Sequence, residues 1–327
     1  MSNTGSYSTR LAQIVSDITF SIDLVTFIFG TIGCIGNLIT LTSRRMRQSS
    51  ATFYLLCLTI SQLITILTCV SIRLIHDHSG GNLMNESAVF CKFRYYLAIS
   101  LPELVSYYLA LATMDRFFCT SENVRIRAWG QIKMVKRLSI AALIRGITMP
   151  IHIFILFDVY NNKCQISPGS IYIFVYAGYL IVVVIFLPHM LMLIFSLLTF
   201  MTLRKSRHRV MPTMIGKYKI NRREALELKF IKIIAIQISL SVSLSSLRFG
   251  TASYRNIVFK LVTPTVEQQA AQSFAESLGS SLYFFNYAVS FYASMLSSKF
   301  FREVFYERIL LFYRHCVRQL IQIHLRH

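Results

Sequence analysis

Long apolar stretches recur along this chain and constrain its fold more than any other feature. A helix needs about 20 mainly apolar residues to cross the hydrocarbon core of a bilayer. Only 15% of the residues are charged, against roughly 25% in soluble domains. The sequence therefore predicts an all-α membrane protein, a bundle of seven transmembrane helices. The predicted spans are 18–43, 51–75, 93–119, 134–158, 170–203, 229–250 and 276–298.

Basic residues give the orientation of these spans. The net charge is +20, and most of the 34 Lys and Arg residues lie in alternate gaps between spans. The positive-inside rule places those gaps in the cytoplasm and the N-terminus outside, as in a multi-pass protein of the plasma membrane. A nucleic-acid-binding protein would instead carry basic residues and stacking aromatics on one face of a soluble domain. We therefore expect no nucleic-acid partner. Outer loops are predicted at 76–92, 159–169 and 251–275, and a long basic inner loop at 204–228.

The two ends of the chain flank the predicted transmembrane domain, 18–298. Residues 1–17 lack the basic and apolar regions of a signal peptide, so the first span is expected to be an uncleaved insertion signal. In the segment 299–327, apolar residues recur at three- and four-residue steps with arginines between them. That pattern predicts a cytoplasmic amphipathic helix on the membrane surface, in contact with lipid. Cys316 in this helix is a candidate for palmitoylation, the alternative being an unmodified cysteine.

Short motifs stand at regular places in the predicted spans. They are Gly36-Asn37 in the first span, Cys91 and Asp115-Arg116-Phe117 in the third, Pro188 in the fifth, Ser290-Phe291-Tyr292 in the seventh and Phe301-Arg302 after it. Together these motifs resemble the rhodopsin-like (class A) G protein-coupled receptors over about 20–318, and are similar to invertebrate neuropeptide (FMRFamide-like) receptors. The resemblance implies a receptor that transduces an extracellular ligand, a peptide in that group, to a heterotrimeric G protein.

The chain also departs from the family pattern. Gln62 stands where the family has the aspartate of its sodium site, so we do not expect that site. The segment Ser290–Ser294 lacks the Asn, Pro and final Tyr of NPxxY, and Ser245 and Leu247 replace the Trp and Pro of the sixth span. An orphan receptor with reduced coupling is therefore one alternative.

The inner end of the third span carries the predicted activation switch. A charged side chain at the end of a span is costly unless it is paired, so we expect Arg116 to pair with Asp115. The resemblance adds Glu227, at the start of the sixth span, as a second partner of Arg116. It also implies that Phe117 and Tyr292 belong to the G protein coupling region.

Two further charges are predicted near the middle of the membrane. Glu103 lies halfway along the third span and Arg145 halfway along the fourth. Because an unpaired charge at that depth is expensive, we expect these two residues to form an ion pair. The pair would be either structural or part of a ligand pocket.

Two features are predicted on the outer side. Cys91 and Cys164 both fall outside, where disulfides persist, and they are expected to tie the second outer loop to the third helix. Asn85-Glu86-Ser87 is an N-glycosylation sequon on the first outer loop.

A ligand pocket is predicted between the outer halves of the helices. Its candidate residues include Ala98, Glu276, Tyr283 and Phe284. Amine receptors of the resembling family have Asp where this chain has Ala98, and opsins have Lys where it has Phe284, so neither ligand is expected. Acidic residues near the mouth suit a basic peptide, or else are solvated surface charge. These acids are Asp158, Glu267 and Glu276.

Enzymatic motifs are not evident in the sequence. GxxxxGK[ST], GxGxxG, HExxH and GxSxG do not occur, and the 8 His residues have no metal-ligand spacing. We therefore expect neither catalysis nor a cofactor. A transporter or channel is the alternative to a receptor, and Glu103 with Arg145 is the feature that favours it.

Overall fold

The structure is a computed structural model that describes residues 2–47, 49–78, 87–160, 163–167, 170–209, 214–262 and 265–324. Side chains are described over these ranges except 2–12, 76–78, 163, 203, 206–209, 214–233, 256, 259–261 and 315–324. About 90% of the described residues are helical.

Twelve α-helices are present in the described chain. They are α1 (Ser2–Leu41), α2 (Ser50–Thr65), α3 (Ser71–His78), α4 (Ala88–Thr120), α5 (Val124–Arg127), α6 (Ile132–Thr148), α7 (Ile153–Leu156), α8 (Tyr172–Tyr179), α9 (Leu187–Arg209), α10 (Met214–Leu261), α11 (Val266–Ser297) and α12 (Lys299–His324). π-Helical turns at Ile66–Val70 and Leu180–Phe186 join α2 to α3 and α8 to α9. A hairpin of β1 (Phe157–Tyr160) and β2 (Lys163–Ile166) pairs Val159 with Cys164.

Five stretches of the described chain are helical, long and apolar enough to cross a membrane. They match the first five spans predicted from the sequence, and the chain is thus a helical membrane protein, as predicted. The lipid-facing character is clearest on α6, which exposes Ile140, Leu143, Ile144 and Ile147. A water-soluble protein rarely exposes such a contiguous apolar face. The five stretches are Gln13–Leu41, Ser50–Ile75, Ala88–Thr120, Ile132–Leu156 and Tyr172–Thr202.

The ends of several helices differ from the sequence prediction. Much of the predicted inner loop 204–228 is helical, because α9 continues to Arg209 and α10 begins at Met214. The predicted outer loop 251–275 is also largely helical, since α11 starts at Val266. A capping box formed by Thr265 and Gln268 sets that start by satisfying free backbone N–H groups. The apolar pattern of the sequence predicts only the part of a helix that contacts lipid. The same helix can continue into polar sequence beyond the membrane.

Helix α4 is the centre of the bundle. It packs against α2, α6 and α9, and it also contacts α10. Helix α1 packs on α2 and on α11, and α11 packs on α10. Among the described residues, α10 and α11 do not reach the apolar content of the other five. On α11 the physical reason is that its buried face is aromatic and polar, with Ser280, Tyr283, Asn286, Tyr287 and Ser290.

The residues of the predicted structural motifs lie between helices. Asn37 is buried on α1, and Gly36 beside it faces Phe291 of α11. Ser290 accepts a hydrogen bond of 2.8 Å from Gln237 Nε2 of α10. Gln62 is buried on α2, and its Oε1 has no hydrogen-bond partner among the described residues.

Pro188 is the second residue of α9, which begins where the π-helical turn Leu180–Phe186 ends. Proline has no N–H to donate to the preceding turn, and widened turns of this kind are found where the regular helical ladder is interrupted. The next side chain also contacts the helix backbone, because His189 Nδ1 lies 2.6 Å from the carbonyl oxygen of Ile185. Pro188 therefore shapes the middle of the fifth helical rod.

Helix α12 turns back onto the end of the bundle that carries Arg116. This end is called the inner end and the opposite end the outer end, after the orientation predicted from the sequence. Phe301 and Val304 are buried, and Phe291 of α11 lies against the rings of Phe301 and Phe305. Arg302 donates to the carbonyl oxygen of Met295 at 2.8 Å, closing the corner between α11 and α12. Further along, α12 exposes apolar side chains that the bundle does not cover. They are Ile309, Leu310, Leu311 and Phe312.

Candidate functional site

A cavity of about 170 Å³ opens between the outer parts of α3, α4, α8, α10 and α11. Ala98, Tyr283 and Phe284, three of the residues predicted from the sequence, line it. Ring contacts hold its floor, because Tyr283 meets Phe249 edge to face at 5.4 Å and Phe284 at 5.6 Å. The remaining lining residues are Cys69, Ile72, Arg73, Arg94, Tyr95, Ile99, Tyr176, Arg248 and Phe249.

A second, wider cavity of about 510 Å³ adjoins the first and is lined by Glu276, the fourth predicted pocket residue that the structure brings here. The two share Tyr95, Tyr176 and Arg248 as lining residues. The outer end of the bundle therefore offers one site with two parts. The smaller cavity is called the inner cavity and the larger one the outer cavity.

The charges around this site differ from those expected. The sequence suggested acids for a basic peptide, but Glu276 forms an ion pair of 2.5 Å with Arg255. Asp158 is 3.2 Å from the ammonium of Lys92. The Val159 N–H and then Lys92 lower the pKa of the Asp158 carboxyl, because both stabilise its charged form. Two of the three expected acids therefore already have basic partners.

The β-hairpin lies beside the outer cavity and is tied to α4. Cys164 of β2 and Cys91 of α4 form the predicted disulfide, with their Cα atoms 5.7 Å apart. The ring of Phe157 in β1 stacks on Tyr95 of α4 at 4.1 Å. Because Cys164 and Phe157 both line the outer cavity, the disulfide holds one wall of the site in place.

Glu103 is fully buried on α4, but it does not form the predicted ion pair with Arg145. Its carboxylate accepts hydrogen bonds from the hydroxyls of Tyr107 and Tyr179 instead. The Arg145 guanidinium lies over the Tyr107 ring, 5.0 Å from its centroid. Tyrosine hydroxyls satisfy the carboxylate and an aromatic face stabilises the guanidinium, so Tyr107 links the two charges. Neither Glu103 nor Arg145 lines the inner or the outer cavity.

The inner end of α4 carries a compact polar cluster. Arg116 donates to Asp115 Oδ2 at 2.7 Å, and both side chains are buried. Residues before and at the start of α2 complete it, since Arg116 donates to Ser49 Oγ at 3.0 Å and Ser50 donates to Asp115 at 2.7 Å. The predicted pairing of Arg116 with Asp115 is therefore present, and α2 stabilises it.

A groove of about 700 Å³ runs between the inner ends of α4 and α9. Phe117 lines it, and its ring packs against Phe195 of α9 at 5.6 Å. The basic residues Arg204 and Lys205 lie along the same groove. Leu198 and Met201 make its floor apolar, and Glu122 lies in the lining together with the two basic residues.

Other predicted residues lie elsewhere or beyond the described chain. Tyr292 donates to the carbonyl oxygen of Phe29 at 3.2 Å on α1, outside the Arg116 cluster. The side chains of Glu227 and Cys316, and the whole of Asn85, lie outside the described residues.

Sequence reasoning missed several residues of the site. Asp23 of α1 is buried and pairs with Arg73 of α3 at 3.1 Å, and Arg73 also donates to Ser281 of α11 at 2.9 Å. Asp23 sits inside the first span, where an intramembrane acid is itself a signal for a buried partner. Arg248 could have been recognised in the same way, because it is a charged residue near the end of a predicted span, 229–250.

No protein-family model matches the chain, and no curated protein matches it.

Proposed function

We propose that this protein is a seven-span receptor of the plasma membrane that passes a signal from an extracellular peptide to a heterotrimeric G protein. One observation carries the proposal: a single helix, α4, contributes residues to the cavity at one end of the bundle and to the polar cluster at the other end. Its outer part lines the cavity with Tyr95 and Ala98, and its inner end holds the buried pair Asp115 and Arg116. A ligand and an inner partner would therefore act on the same rigid element.

The sixth and seventh spans of this receptor would be α10 and α11. Helix α11 fills the space between α10 and α1, with Tyr283, Tyr287 and Phe291 buried in the bundle. Without these helices the faces of α1 and α4 that they cover would be open. Seven crossings would put the N-terminus outside and the basic inner segments in the cytoplasm.

The resting state would be held by the Arg116 cluster. Arg116 is bound to Asp115 and Ser49, so these contacts must break before the guanidinium can turn to a partner protein. Glu227 on α10 would add a second latch, and outward movement of α10 would release it. A ligand shifts this equilibrium only if it binds the open arrangement more tightly than the closed one.

The inner surface would supply the docking site. The groove beside Phe117 has an apolar floor and the basic residues Arg204 and Lys205. Helix α12 would lie on the cytoplasmic leaflet with its exposed apolar residues in the lipid, and palmitoylation of Cys316 would strengthen that contact. Asn85 would be glycosylated on the extracellular side of the membrane.

Nucleotide exchange tests this function directly. The full chain is reconstituted in lipid nanodiscs with purified heterotrimeric G proteins of several classes, and binding of a non-hydrolysable GTP analogue is followed. We expect exchange above the rate of empty nanodiscs for at least one class, increased by a member of a peptide library. Arg116→Ala should abolish the increase, while exchange equal to that of empty nanodiscs for every class and peptide would contradict the proposal.

Transport is the second candidate function, and the buried carboxylate of Glu103 is the observation that favours it. Intramembrane acids often belong to proton or ion pathways. The same chain in sealed liposomes would then carry a proton or ion flux that Glu103→Gln removes. Flux without nucleotide exchange would favour the transporter.

A further inference from the structure

Arg248 stands where the inner and outer cavities meet, because it lines both of them. It is half-buried, and its guanidinium lies 5.8 Å from the centroid of the neighbouring Phe249 ring. Among the described side chains, none accepts a hydrogen bond from Arg248 or forms an ion pair with it. The site therefore contains a guanidinium for which the described residues provide no hydrogen-bond acceptor.

The other arginines of the site are already engaged. Arg73 is bound to Asp23 and Ser281, and Arg255 is bound to Glu276. Arg94 also has an interaction of its own. Arg73 and Arg255 thus have carboxylate partners within ion-pair distance, whereas Glu276 acts on Arg248 only from beyond that distance.

A half-buried guanidinium without an acceptor is costly, because the protein replaces part of the water that would solvate it. A carboxylate is its best complement, since the planar fork of Arg can donate two parallel hydrogen bonds to the two oxygens. The surrounding walls are aromatic, with Tyr95, Tyr176 and Tyr283 close to Arg248 in the lining. These walls exclude water and would strengthen such a pair.

The dimensions of the site indicate how a ligand would be arranged. The inner part, about 170 Å³, has room for about one aromatic side chain, and the outer part, about 510 Å³, has room for several residues. A carboxylate at Arg248 would stand between the two parts. One side chain would then enter the inner part while the rest of the ligand fills the outer part beside the hairpin.

We propose that this cavity binds its ligand through a carboxylate that pairs with Arg248, with an aromatic group in the inner cavity. The proposal rests on the receptor function, which it deepens by giving the peptide an acidic recognition group. That group is either the free C-terminus of the peptide or an Asp or Glu side chain. It replaces the basic peptide that the acids near the mouth suggested.

Three small probes test the proposal on the full chain in lipid nanodiscs. N-acetyl-phenylalanine carries a terminal carboxylate, N-acetyl-glutamyl-phenylalaninamide carries a side-chain carboxylate, and N-acetyl-phenylalaninamide carries none. We expect one of the two acids to bind at least about tenfold more tightly than the neutral amide. The tighter acid identifies which part of a peptide supplies the carboxylate. Equal affinity for all three probes would overturn the proposal.

Variants assign the preference to Arg248. Arg248→Gln should remove the difference between acid and amide, and Arg248→Met provides a second neutral variant if the first does not fold. Arg45→Gln is the matched control, because Arg45 lies in an exposed ion pair with Glu307 at the inner end of the bundle. It should keep the full preference. A preference that is unchanged in the folded Arg248 variants would refute the assignment.

This test is independent of G protein coupling. Probe binding is measured without any G protein, and basal nucleotide exchange is measured without any probe. Loss of exchange with intact carboxylate preference would contradict the receptor function alone. Exchange without carboxylate preference would contradict the Arg248 site alone.

Discussion

Gly36 of α1 lies directly against the ring of Phe291 in α11, so that a Cβ at position 36 would stand 2.7 Å from Phe291 Cε2. Real Cβ atoms do not approach carbon this closely, and α1 packs on α11 along much of its length. Gly30 and Gly33 of α1 also face α11, where a Cβ would stand 3.3 Å from Ala288 Cβ and 3.2 Å from Phe291 Cβ. Small residues thus let α1 and α11 approach closely.

Gly36→Ala should therefore lower the stability of the bundle. The added methyl group would force Phe291 to move in a packed interface, at a cost of about 1–3 kcal/mol. The measurement is the thermal unfolding temperature of the purified chain in nanodiscs. Gly178→Ala is the control, because a Cβ there meets nothing within 4 Å. If both variants unfold at the wild-type temperature, the close packing at Gly36 is wrong.

Asp23→Asn should destabilise the chain strongly. Asp23 is fully buried and holds Arg73, so its loss would leave a charge inside the bundle without its carboxylate. Removing one partner of a buried pair costs about 3–5 kcal/mol. The unfolding temperature should fall well below that of Glu307→Gln, which breaks an exposed pair with Arg45 worth about 0–1 kcal/mol. Similar values for the two variants would show that the buried pair is not what stabilises this region.

Asp115→Asn should raise basal nucleotide exchange. The substitution weakens the hold on Arg116, because a neutral amide attracts the guanidinium less than a carboxylate does. Exchange should rise about tenfold, which corresponds to a loss of about 1.4 kcal/mol from the free energy that favours the resting arrangement over the released one. Glu227→Ala should act in the same direction if Glu227 is the second partner. Glu307→Gln, on the same side of the bundle, should leave exchange unchanged; a basal rate unaffected by Asp115→Asn would argue against a latch.

Cys164→Ser should loosen the outer wall of the cavity. The disulfide with Cys91 ties β2 to α4, and a native disulfide contributes about 2–5 kcal/mol. We expect lower surface expression in cells and a lower unfolding temperature. Cys57→Ser removes a cysteine that has no disulfide, and it should have the smaller effect. Equal expression and stability of the two variants would contradict the role given to the disulfide.

The sequence alone was sufficient to predict features that depend only on the order of residues along the chain. Lipid contact requires a continuous apolar stretch, so the first five spans could be recognised from hydropathy alone. The pairing of Cys91 with Cys164 followed from orientation, since only these two cysteines were predicted on the outer side. Adjacent residues such as Asp115 and Arg116 could also be paired in advance.

Features that depend on which helix faces which could not be predicted in the same way. Glu103 and Arg145 lie at similar depth, yet Tyr107 stands between them because of the rotation of α4 relative to α6. The partners of Arg73 come from two distant helices, α1 and α11. The acceptor-free position of Arg248 likewise emerges only when five helices are assembled around the cavity.

Accessibility of the two chain ends in living cells is the most direct test of this account. The full chain would carry one epitope tag before residue 1 and a different tag after residue 327, and antibody binding would be measured in intact and in permeabilised cells. An odd number of membrane crossings predicts that the N-terminal tag is bound in intact cells and the C-terminal tag only after permeabilisation. Binding of both tags, or of neither, in intact cells would contradict the seven-span receptor.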